Sequence, residues 1–565
     1  MKQIIECVPN ISEGRDPQKI KAITDVVETV EGVMLLNVDP GKATNRTVIT
    51  FAGEPEAVIE AAFRLVKKAS EVIDMSKHKG EHPRFGATDV CPLVPVANIS
   101  MEETVKFAQK LGKRIGDELE IPIYFYENAA TSDQRKNLAT VRSGEYEGLK
   151  DKLENPNWKP DAGSTSYNAK VERTGATAVS ARDFLVAYNI NLNTTSTRRA
   201  NAIAFDIRER GRVKREGNPL TGKIVKDEKG NPVNEPGLLK CVKGIGWFIE
   251  EYGVAQISYN LTNISVTPIH TAFDKTCERA LARGLRVTGS ELIGLVPKQA
   301  LIDAGKFFLD KQERSHGIHE EEIIKIAVKS LGLDELAPFN VRERVIEYIL
   351  EDKMSAGSKL VEMSLTKFAN ETASESPAPG GGSISAYVGA LGVSLGTMVA
   401  NLSSHKRGWE DKWKYYSDWA AKGQVYKDEL LRLVDEDTNA FNKIMDAFGL
   451  PKKTDADKAA RKAAIANATK GATMVPFKVM ETSLNSMEVM LEMAKTGLPA
   501  SISDAGVGVL CARAAVRGAY LNVKINTKDF EDQAFVTDIL AKAEAVAQKA
   551  EAMEVEIMTL VESNL

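Results

Sequence analysis

The sequence predicts a multidomain protein with an α+β N-terminal half, built from two split βαβ subdomains, and an all-α C-terminal domain. Its 565 residues exceed the roughly 250–300 that one hydrophobic core accommodates. Up to about residue 337, apolar runs of period two alternate with runs of helical period, whereas from residue 365 onward almost every segment has helical period. Such a change of pattern usually separates independently folding units.

The first subdomain is expected to span residues 1–180. Alternating apolar residues predict five strands in it, and the 3.6-residue period predicts three helices. The predicted strands cover residues 4–8, 33–38, 47–51, 90–96 and 121–126, and the predicted helices cover 17–30, 56–73 and 102–118. The order strand-helix-strand-strand-helix-strand is typical of a ferredoxin-like split βαβ sheet with helices on one face.

The second subdomain is expected to span residues 181–337 and to have the same ferredoxin-like style. The predicted strands cover residues 184–192, 253–260 and a segment around Val287, and the predicted helices cover 197–212, 271–283 and 297–306. Residues 213–236 are rich in Gly, Pro and Lys, which indicates a flexible surface insertion.

A linker at residues 338–358 and a helical domain at 359–565 complete the predicted organisation. The linker contains an amphipathic helix over residues 341–352 and a short polar stretch after it. The C-terminal residues 529–562 are rich in Ala, Glu, Lys and Met, which predicts one long helix.

One stretch of the helical domain has the length of a membrane span, because residues 376–404 contain no charged side chain. Six glycines and several Ser and Thr residues make it too polar for a typical span, and Gly392 and Gly396 would let neighbouring helices approach closely. We therefore predict a buried helix in a close-packed core.

Composition narrows the classes of function. The net charge of −4 creates no global field for nucleic acid, so an anionic ligand must be held locally. The five cysteines form no CxxC pair, which predicts buried thiols in a reducing compartment. The first residues lack the apolar run of a secretory signal, and no nucleotide-binding glycine motif is present. We expect a cytoplasmic protein without nucleic-acid or membrane partners.

Residues 74–89 concentrate titratable groups of both signs on a segment that Gly80 and Pro83 keep from being helical. Three interpretations are open. His78, Glu81 and His82 match an inverted zinc-peptidase pattern, although that chemistry requires a continuous helix. The histidines could instead satisfy loop backbone groups. The third interpretation is metal-free general base catalysis by an imidazole, oriented by a carboxylate such as Asp39.

Several motifs of the N-terminal half are similar to those of glutamate formimidoyltransferases. They are CVPNISEGR at 7–15, NVDPG at 37–41, NRTV at 45–48, HKGEHPR at 78–84, VAYNINL at 186–192, KGIGW at 243–247 and GLVP at 294–297. The helical half resembles formimidoyltetrahydrofolate cyclodeaminases through PAPGGGS at 377–383, LVDEDTNAF at 433–441, LPK at 450–452, SD at 503–504 and NVKIN at 522–526. The whole chain thus resembles the bifunctional formimidoyltransferase-cyclodeaminases.

For the first half, the resemblance implies transfer of the formimidoyl group from N-formimidoyl-L-glutamate to nitrogen five of tetrahydrofolate. It implies His82 as the base, and charge logic adds Asp39 as its orienting partner. Cationic side chains are needed to bind the carboxylates of both substrates, and the candidates in the matched motifs are Arg46, Lys79 and Arg84.

Folate binding is associated in this family with the segment at 163–177, which implies Gly163, Gly175 and Thr177 as contacts and extends to Arg182. The approach to this motif is longer here than in the family pattern, and Ser180 stands where glycine is common. For Arg182, an exposed ion pair is an equally good interpretation.

For the second half, the resemblance implies that nitrogen ten of the same folate closes the ring to 5,10-methenyltetrahydrofolate and releases ammonia. Asp437 occupies the family's catalytic position, although from sequence alone an acidic triplet on a helix usually indicates solvated carboxylates. A glycine run before a helix is usually a flexible turn. In the family context, the segment of Gly380, Gly381, Gly382 and Ser383 offers backbone donors to folate.

Tetrahydrofolate, with or without a polyglutamate tail, is implied as a cosubstrate, with no bound cofactor or metal. The resemblance also implies homo-oligomers, as dimers in a larger ring. Alternatives to two active sites are a chain with only one active site, a zinc hydrolase using His78, Glu81 and His82, and a non-catalytic folate-binding protein.

Overall fold

A computed structural model describes residues 3–41, 45–79, 84–217, 221–354, 359–528 and 530–565, without the side chains of residues 353 and 354. The chain forms two compact units. The first unit comprises Met1–Ala304 and Val328–Met354, and the second comprises Gly305–Ala327 and Ser355–Leu565. The segment Gly305–Ala327 therefore belongs with the helices that follow the linker.

The first sheet of the first unit has seven strands. They are β1 Ile4–Cys7, β2 Asn10–Ile11, β3 Val33–Gly41, β4 Arg46–Gly53, β5 Thr88–Ala97, β6 Ile123–Glu127 and β7 Thr177–Ala181. Both β1 and β2 pair antiparallel with β4 on one side and with β5 on the other, so they act as one interrupted central strand. The order β3, β4, β1/β2, β5 is the predicted split βαβ arrangement, and β7 and β6 extend it in parallel.

Helices pack on both faces of this sheet, whereas the prediction placed them on one. The long helices are α1 Pro17–Glu28, α2 Pro55–Val72 and α3 Met101–Leu119, and the short ones are α4 Leu138–Val141, α5 Leu149–Glu154 and α6 Ala169–Thr174. The long helices share the larger core with the sheet. The short helices cover Tyr124 and Tyr126 on the other face. They were not predicted because four to six residues are too few to show a helical period.

The second sheet of the first unit has four strands in the order β11, β12, β8, β13, all antiparallel. Its elements are β8 Val186–Leu192, α7 Thr197–Ile207, β9 Arg212–Val213, β10 Asn234–Glu235, β11 Val242–Ile249, β12 Val254–Leu261, α8 Ile269–Leu281 and β13 Val287–Ile293. This is the same split βαβ order as in the first sheet, as predicted. The predicted insertion lies between the paired strands β9 and β10, and residues 218–220 of it lie outside the described residues.

Strand β11 was missed in the sequence because Gly244 and Gly246 interrupt its apolar alternation. Both glycines are required by close packing. A Cβ at Gly244 would lie 2.6 Å from the ring of Tyr259, and one at Gly246 would lie 2.6 Å from the side chain of Ala200 on α7.

The remaining helices are α9 Lys298–Lys311, α10 Glu320–Leu331, α11 Val341–Arg344, α12 Ile346–Met354, α13 Leu365–Thr372, α14 Gly381–Ser404, α15 Trp413–Gly449, α16 Asp455–Thr496, α17 Ile502–Thr527 and α18 Gln533–Glu562. The single helix predicted for 341–352 is broken at Val345. That residue is extended because it forms a parallel bridge with Val296.

Helix α14 is the charge-free segment, and it runs through the core of the second unit. It is long and apolar enough to cross a membrane, but 61% of its most apolar window is buried inside the protein. A Cβ at Gly392 would lie 2.7 Å from the carbonyl oxygen of Gly508 on α17, and one at Gly396 would lie 3.0 Å from the sulfur of Met490 on α16. The helix is buried and closely packed, as its glycine spacing predicted.

Candidate active sites

A cavity of about 730 Å³ lies in the first unit, and we call it the arginine cavity. Its lining contains five cationic side chains and one carboxylate. The cations are Arg46, Lys136, Arg142, Arg182 and Lys243, and the carboxylate is Glu127. Strand ends of the first sheet supply Arg46 and Arg182, while strand β11 of the second sheet supplies Lys243. The excess of positive charge suits a ligand with carboxylates.

Asp89 fixes two of these arginines. Its side chain is fully buried, and its Oδ2 atom lies 3.4 Å from Nη2 of Arg46 and forms a short hydrogen bond with Nη2 of Arg142. Its Oδ1 atom accepts a hydrogen bond of 3.1 Å from the backbone N–H of Phe85. One carboxylate thus orients two guanidinium groups, which leaves a net positive charge beside the cavity.

Burial lowers the pKa of Arg46, while Asp89 opposes this effect. The guanidinium nevertheless stays charged at neutral pH because its ordinary pKa is so high.

Asn45 ties together the loops that precede the predicted base. Its Oδ1 accepts from the backbone N–H of Gly14 at 3.0 Å, and its Nδ2 donates to the carbonyl of Lys79 at 3.0 Å. Its own carbonyl lies 2.9 Å from Nε2 of His78. Burial lowers the pKa of His78, which favours the neutral imidazole. Of the three interpretations of this segment, the backbone-satisfying role describes His78 best.

Glu81 and His82 lie outside the described residues. Asp39 is on strand β3, with an exposed side chain. Arg84 pairs with Glu147 at 2.6 Å and donates to the carbonyl of His78 at 3.2 Å. Lys79 has an exposed side chain.

Of the folate contacts implied by the resemblance, Arg182 alone is among the residues that line the arginine cavity. Gly163 and Gly175 have φ of +83° and +66° and pack against backbone at Ile121 and Phe85, which leaves no space for a side chain. The hydroxyl of Thr177 donates to the carbonyl of Thr88 inside the sheet at 2.7 Å. These three residues shape the backbone around strand β7.

The second site lies where α15 passes the first turn of α14. Oδ2 of Asp437 accepts hydrogen bonds from the backbone N–H of Ser383 at 2.9 Å and from its hydroxyl at 3.1 Å. A Cβ at Gly382 would collide with this carboxylate, and one at Gly381 would lie 3.2 Å from Nδ2 of Asn522. The glycines therefore let the acid approach the positive end of the helix dipole.

The acidic triplet of α15 divides into three roles. Asp435 accepts a 2.7 Å hydrogen bond from the backbone N–H of Leu360 and so anchors the start of the helical domain. Glu436 forms a short ion pair with Arg432 on the helix surface. Asp437 alone faces Ser383. The interpretation as a solvated helix carboxylate thus describes Glu436 and not its two neighbours.

The environment of Asp437 suits proton transfer. Burial raises its pKa above the ordinary value of a carboxyl group, while the two hydrogen bonds from Ser383 lower it. The helix dipole and the donors hold the carboxylate in place, and the elevated pKa lets it carry a proton closer to neutral pH.

Comparison with known proteins covers both halves. Family models match at residues 4–182 (formiminotransferase domain, N-terminal subdomain), 187–351 (formiminotransferase domain) and 364–545 (formiminotransferase-cyclodeaminase). A formimidoyltransferase-cyclodeaminase of Gallus gallus is 42% identical over 565 residues, which cover 100% of this chain and 99% of that protein. The chain belongs to the formimidoyltransferase-cyclodeaminase family.

Separate relatives match each half. A glutamate formimidoyltransferase of Thermoplasma acidophilum is 41% identical over 308 residues, covering 54% of this chain and 92% of that protein. A methenyltetrahydrofolate cyclohydrolase of Methylorubrum extorquens is 36% identical over 210 residues, covering 37% of this chain and 99% of that protein. The two halves of the family thus also occur as independent proteins.

Nothing supports the zinc hydrolase alternative. None of the relatives named above is described as a zinc enzyme.

Sequence reasoning missed Lys136, Arg142 and Lys243 of the arginine cavity. Lys243 begins the KGIGW motif, so a signal for it existed. Lys136 and Arg142 lie in a stretch without a motif, and only the fold brings them near Arg46 and Asp89.

Proposed function

We propose that this protein catalyses two consecutive steps of folate-dependent histidine degradation. It transfers the formimidoyl group of N-formimidoyl-L-glutamate to tetrahydrofolate, and it then cyclises 5-formimidoyltetrahydrofolate to 5,10-methenyltetrahydrofolate with release of ammonia. The observation that carries the proposal is full-length similarity at 42% identity to a bifunctional relative. The supporting geometry is one cavity lined mainly by cations in the first unit and one partly buried acid in the second.

In the first reaction, nitrogen five of tetrahydrofolate attacks the formimidoyl carbon and loses its proton to a base. The tetrahedral adduct then breaks its bond to the glutamate nitrogen, which takes the proton back as glutamate leaves. The family motif assigns the base to His82, and charge logic adds Asp39 as its orienting partner. Both assignments are part of the proposal.

The arginine cavity would hold the substrate carboxylates in this step. Arg46 and Arg142, both oriented by Asp89, offer planar donors that match a carboxylate. Arg182 and Lys243 line the same cavity and add to its positive charge. Tetrahydrofolate is a cosubstrate. Both substrates would be held by ion pairs to their carboxylates, and no resident cofactor is part of the proposal.

In the second reaction, nitrogen ten attacks the amidinium-like formimidoyl carbon on nitrogen five. Nitrogen ten loses a proton, the former imino nitrogen gains one, and the bond to it breaks to release ammonia. Asp437 would move this proton, because burial raises its pKa above that of an exposed carboxyl group and so eases its protonation. The Gly380–Ser383 turn would approach the folate closely.

The proposal is tested by following methenyltetrahydrofolate absorbance and ammonia release from formimidoylglutamate and tetrahydrofolate. His82→Ala should block both products from this substrate pair, yet it should still convert added 5-formimidoyltetrahydrofolate. Asp437→Ala should accumulate 5-formimidoyltetrahydrofolate. A folded wild-type protein that forms neither product would overturn the assignment and favour a folate-binding protein. Formation of one product alone would leave a single active site.

We further propose domain limits of 1–180, 181–337 and 359–565, with a linker at 338–358, and a cytoplasmic location. All five cysteines are free thiols, which suits a reducing compartment. Homo-oligomers, as dimers in a larger ring, are supported by an apolar face on α14 and α17. Leu391, Leu402 and Leu510 on it are 47%, 45% and 44% exposed. Light scattering of the full chain tests this, since a monomer would contradict it.

A further inference from the structure

A second charged cavity, of about 920 Å³, lies in the helical unit and is distinct from the contacts of Asp437. We call it the basic cavity. Four cations line it, namely Lys452 in the turn after α15 and Lys458, Arg461 and Lys462 in the first turns of α16. Phe530 adds an aromatic surface. A cavity of this size, with an apolar wall and a few convergent polar groups, is typical of a small-molecule site.

Arg461 is held rigidly at the cavity wall. Its Nε and Nη2 atoms donate to the carbonyl of Phe448 at 3.2 and 3.1 Å, and its guanidinium lies 5.5 Å from the centre of the Phe448 ring. An arginine fixed in this way loses little side-chain freedom when it binds an anion.

The lining is positive after its own acids are counted. The two carboxylates in it, Glu531 and Asp532, stand against four cations. Lys462 pairs with Glu531 at 2.9 Å, and Lys458 pairs with Asp455 at 2.8 Å. All four of these side chains are at least 62% exposed, so these ion pairs are weak and can exchange for a ligand carboxylate.

The basic cavity adjoins the Asp437 site along two helices. On α17, Asn522 faces Gly381, and Asn526, one helical turn later, lines the cavity. On α15, Phe441 and Phe448 follow Asp437 at spacings of four and eleven residues, which places them on the same helix face. These rings are 41% and 50% exposed. An aromatic surface thus runs from Asp437 to Arg461.

We propose that the basic cavity binds the acidic benzoylglutamate end of the folate substrate while its pteridine ring reacts at Asp437. Along the protein, the acid is followed by exposed aromatic rings and then by cations. Along the ligand, the reacting ring is followed by the aromatic amide and then by the carboxylates, so the two orders match. The inference rests on the proposed cyclodeaminase function and specifies the residues that select its substrate.

The test compares two substrates, 5-formimidoyltetrahydrofolate and its analogue without glutamate, 5-formimidoyltetrahydropteroate. Removing one charge-assisted contact should raise KM by about tenfold. Arg461→Ala should therefore raise KM for the folate about tenfold, leave kcat unchanged, and leave KM for the pteroate unchanged. Lys458→Gln, at an exposed position, should give a smaller change of the same kind. The matched control is Lys495→Ala, at the far end of the same helix, which should alter neither KM.

An equal rise in KM for both substrates, or no rise for the folate, would overturn the inference. Calorimetry with p-aminobenzoyl-L-glutamate separates this failure from that of the proposed function, because it needs no turnover. Arg461→Ala should weaken binding of this probe at one site about tenfold, and Lys495→Ala should leave it unchanged. If the wild type releases no ammonia but Arg461→Ala still weakens binding of the probe, the proposed function fails and the cavity assignment stands. If Arg461→Ala binds the probe as tightly as the wild type, the cavity assignment fails.

Discussion

The two units place an acidic side chain in opposite electrostatic surroundings. In the first unit, a fully buried acid, Asp89, serves two arginines, so that cations are fixed at a cavity made from strand ends. In the second unit, a partly buried acid, Asp437, has no cation among its hydrogen-bond partners in the described residues and is held by Ser383 at a helix start. A carboxylate paired with cations stays ionised and orients them, whereas one held only by neutral donors in a buried place can exchange a proton.

The largest expected effect of this difference is on the acid that has no cation. Asp437→Asn keeps an oxygen acceptor for Ser383 but cannot carry a proton, so the cyclisation rate should fall by about 10²–10⁴-fold. The transferase step should be unaffected, so 5-formimidoyltetrahydrofolate should accumulate while ammonia release falls. Both quantities are measured after formimidoylglutamate and tetrahydrofolate are added. Glu436→Gln, one residue earlier and on the surface, is the matched control. Ammonia release at the wild-type rate in Asp437→Asn would refute the proton-transfer role.

The contrast between the sites also shows what sequence could predict. The split βαβ order of the first sheet followed from periodicity, because the pattern repeats along each of its elements. The burial of the charge-free helix followed from its glycine spacing and its polar residues. Strand β11 did not follow from periodicity, because Gly244 and Gly246 replace its alternating side chains where other elements pack closely. The role of Asp437 was predicted only from the family resemblance, because its two acidic neighbours cannot be told apart from it by sequence pattern. Arg142 and Asp89 are 53 residues apart and meet only in the folded sheet.

The first unit contains another buried acid besides Asp89. Glu6, on the central strand, is 4% exposed, and burial raises its pKa to about 7, with Arg182 lowering it and Glu347 raising it. Because the folded pKa lies above the unfolded value of 4.5, its contribution to stability is full below pH 4.5 and is lost as pH rises to about 7.

Glu6→Gln should therefore stabilise the first unit at pH 8, by about 3 kcal/mol from a shift of this size. Hydrogen exchange of the β1 amides as a function of pH measures this stabilisation. The variant should lose the fall in protection that the wild type shows between pH 5 and 7. Glu56→Gln, at an exposed position, is the control. An unchanged pH profile in Glu6→Gln would assign the fall to another group.

The glycine at the start of α14 gives the next effect. Gly382→Ala places a methyl group against the Asp437 carboxylate, and overpacking of this kind costs about 1–3 kcal/mol. Both the stability of the second unit and the cyclodeaminase rate should fall. Gly471→Ala on α16 has open space around the added methyl group and should be neutral or stabilising. Equal stability of the two variants, measured by thermal unfolding, would show that the helix start moves to accommodate the side chain.

The smallest effect tests the cations of the first unit. Arg142→Ala removes one of two guanidinium groups from Asp89, and Arg46 remains within 3.4 Å to neutralise that buried carboxylate. The fold should therefore persist while one charge-assisted contact to a substrate carboxylate is lost, which raises KM of the transferase step about tenfold. Arg64→Ala, which breaks an exposed ion pair with Glu60, is the control and should leave KM unchanged. If Arg142→Ala lowers kcat with an unchanged KM, the arginine stabilises the reacting centre and not the bound carboxylate. The two units would then differ less than their charges indicate, because each would use a positioned side chain on the reaction itself.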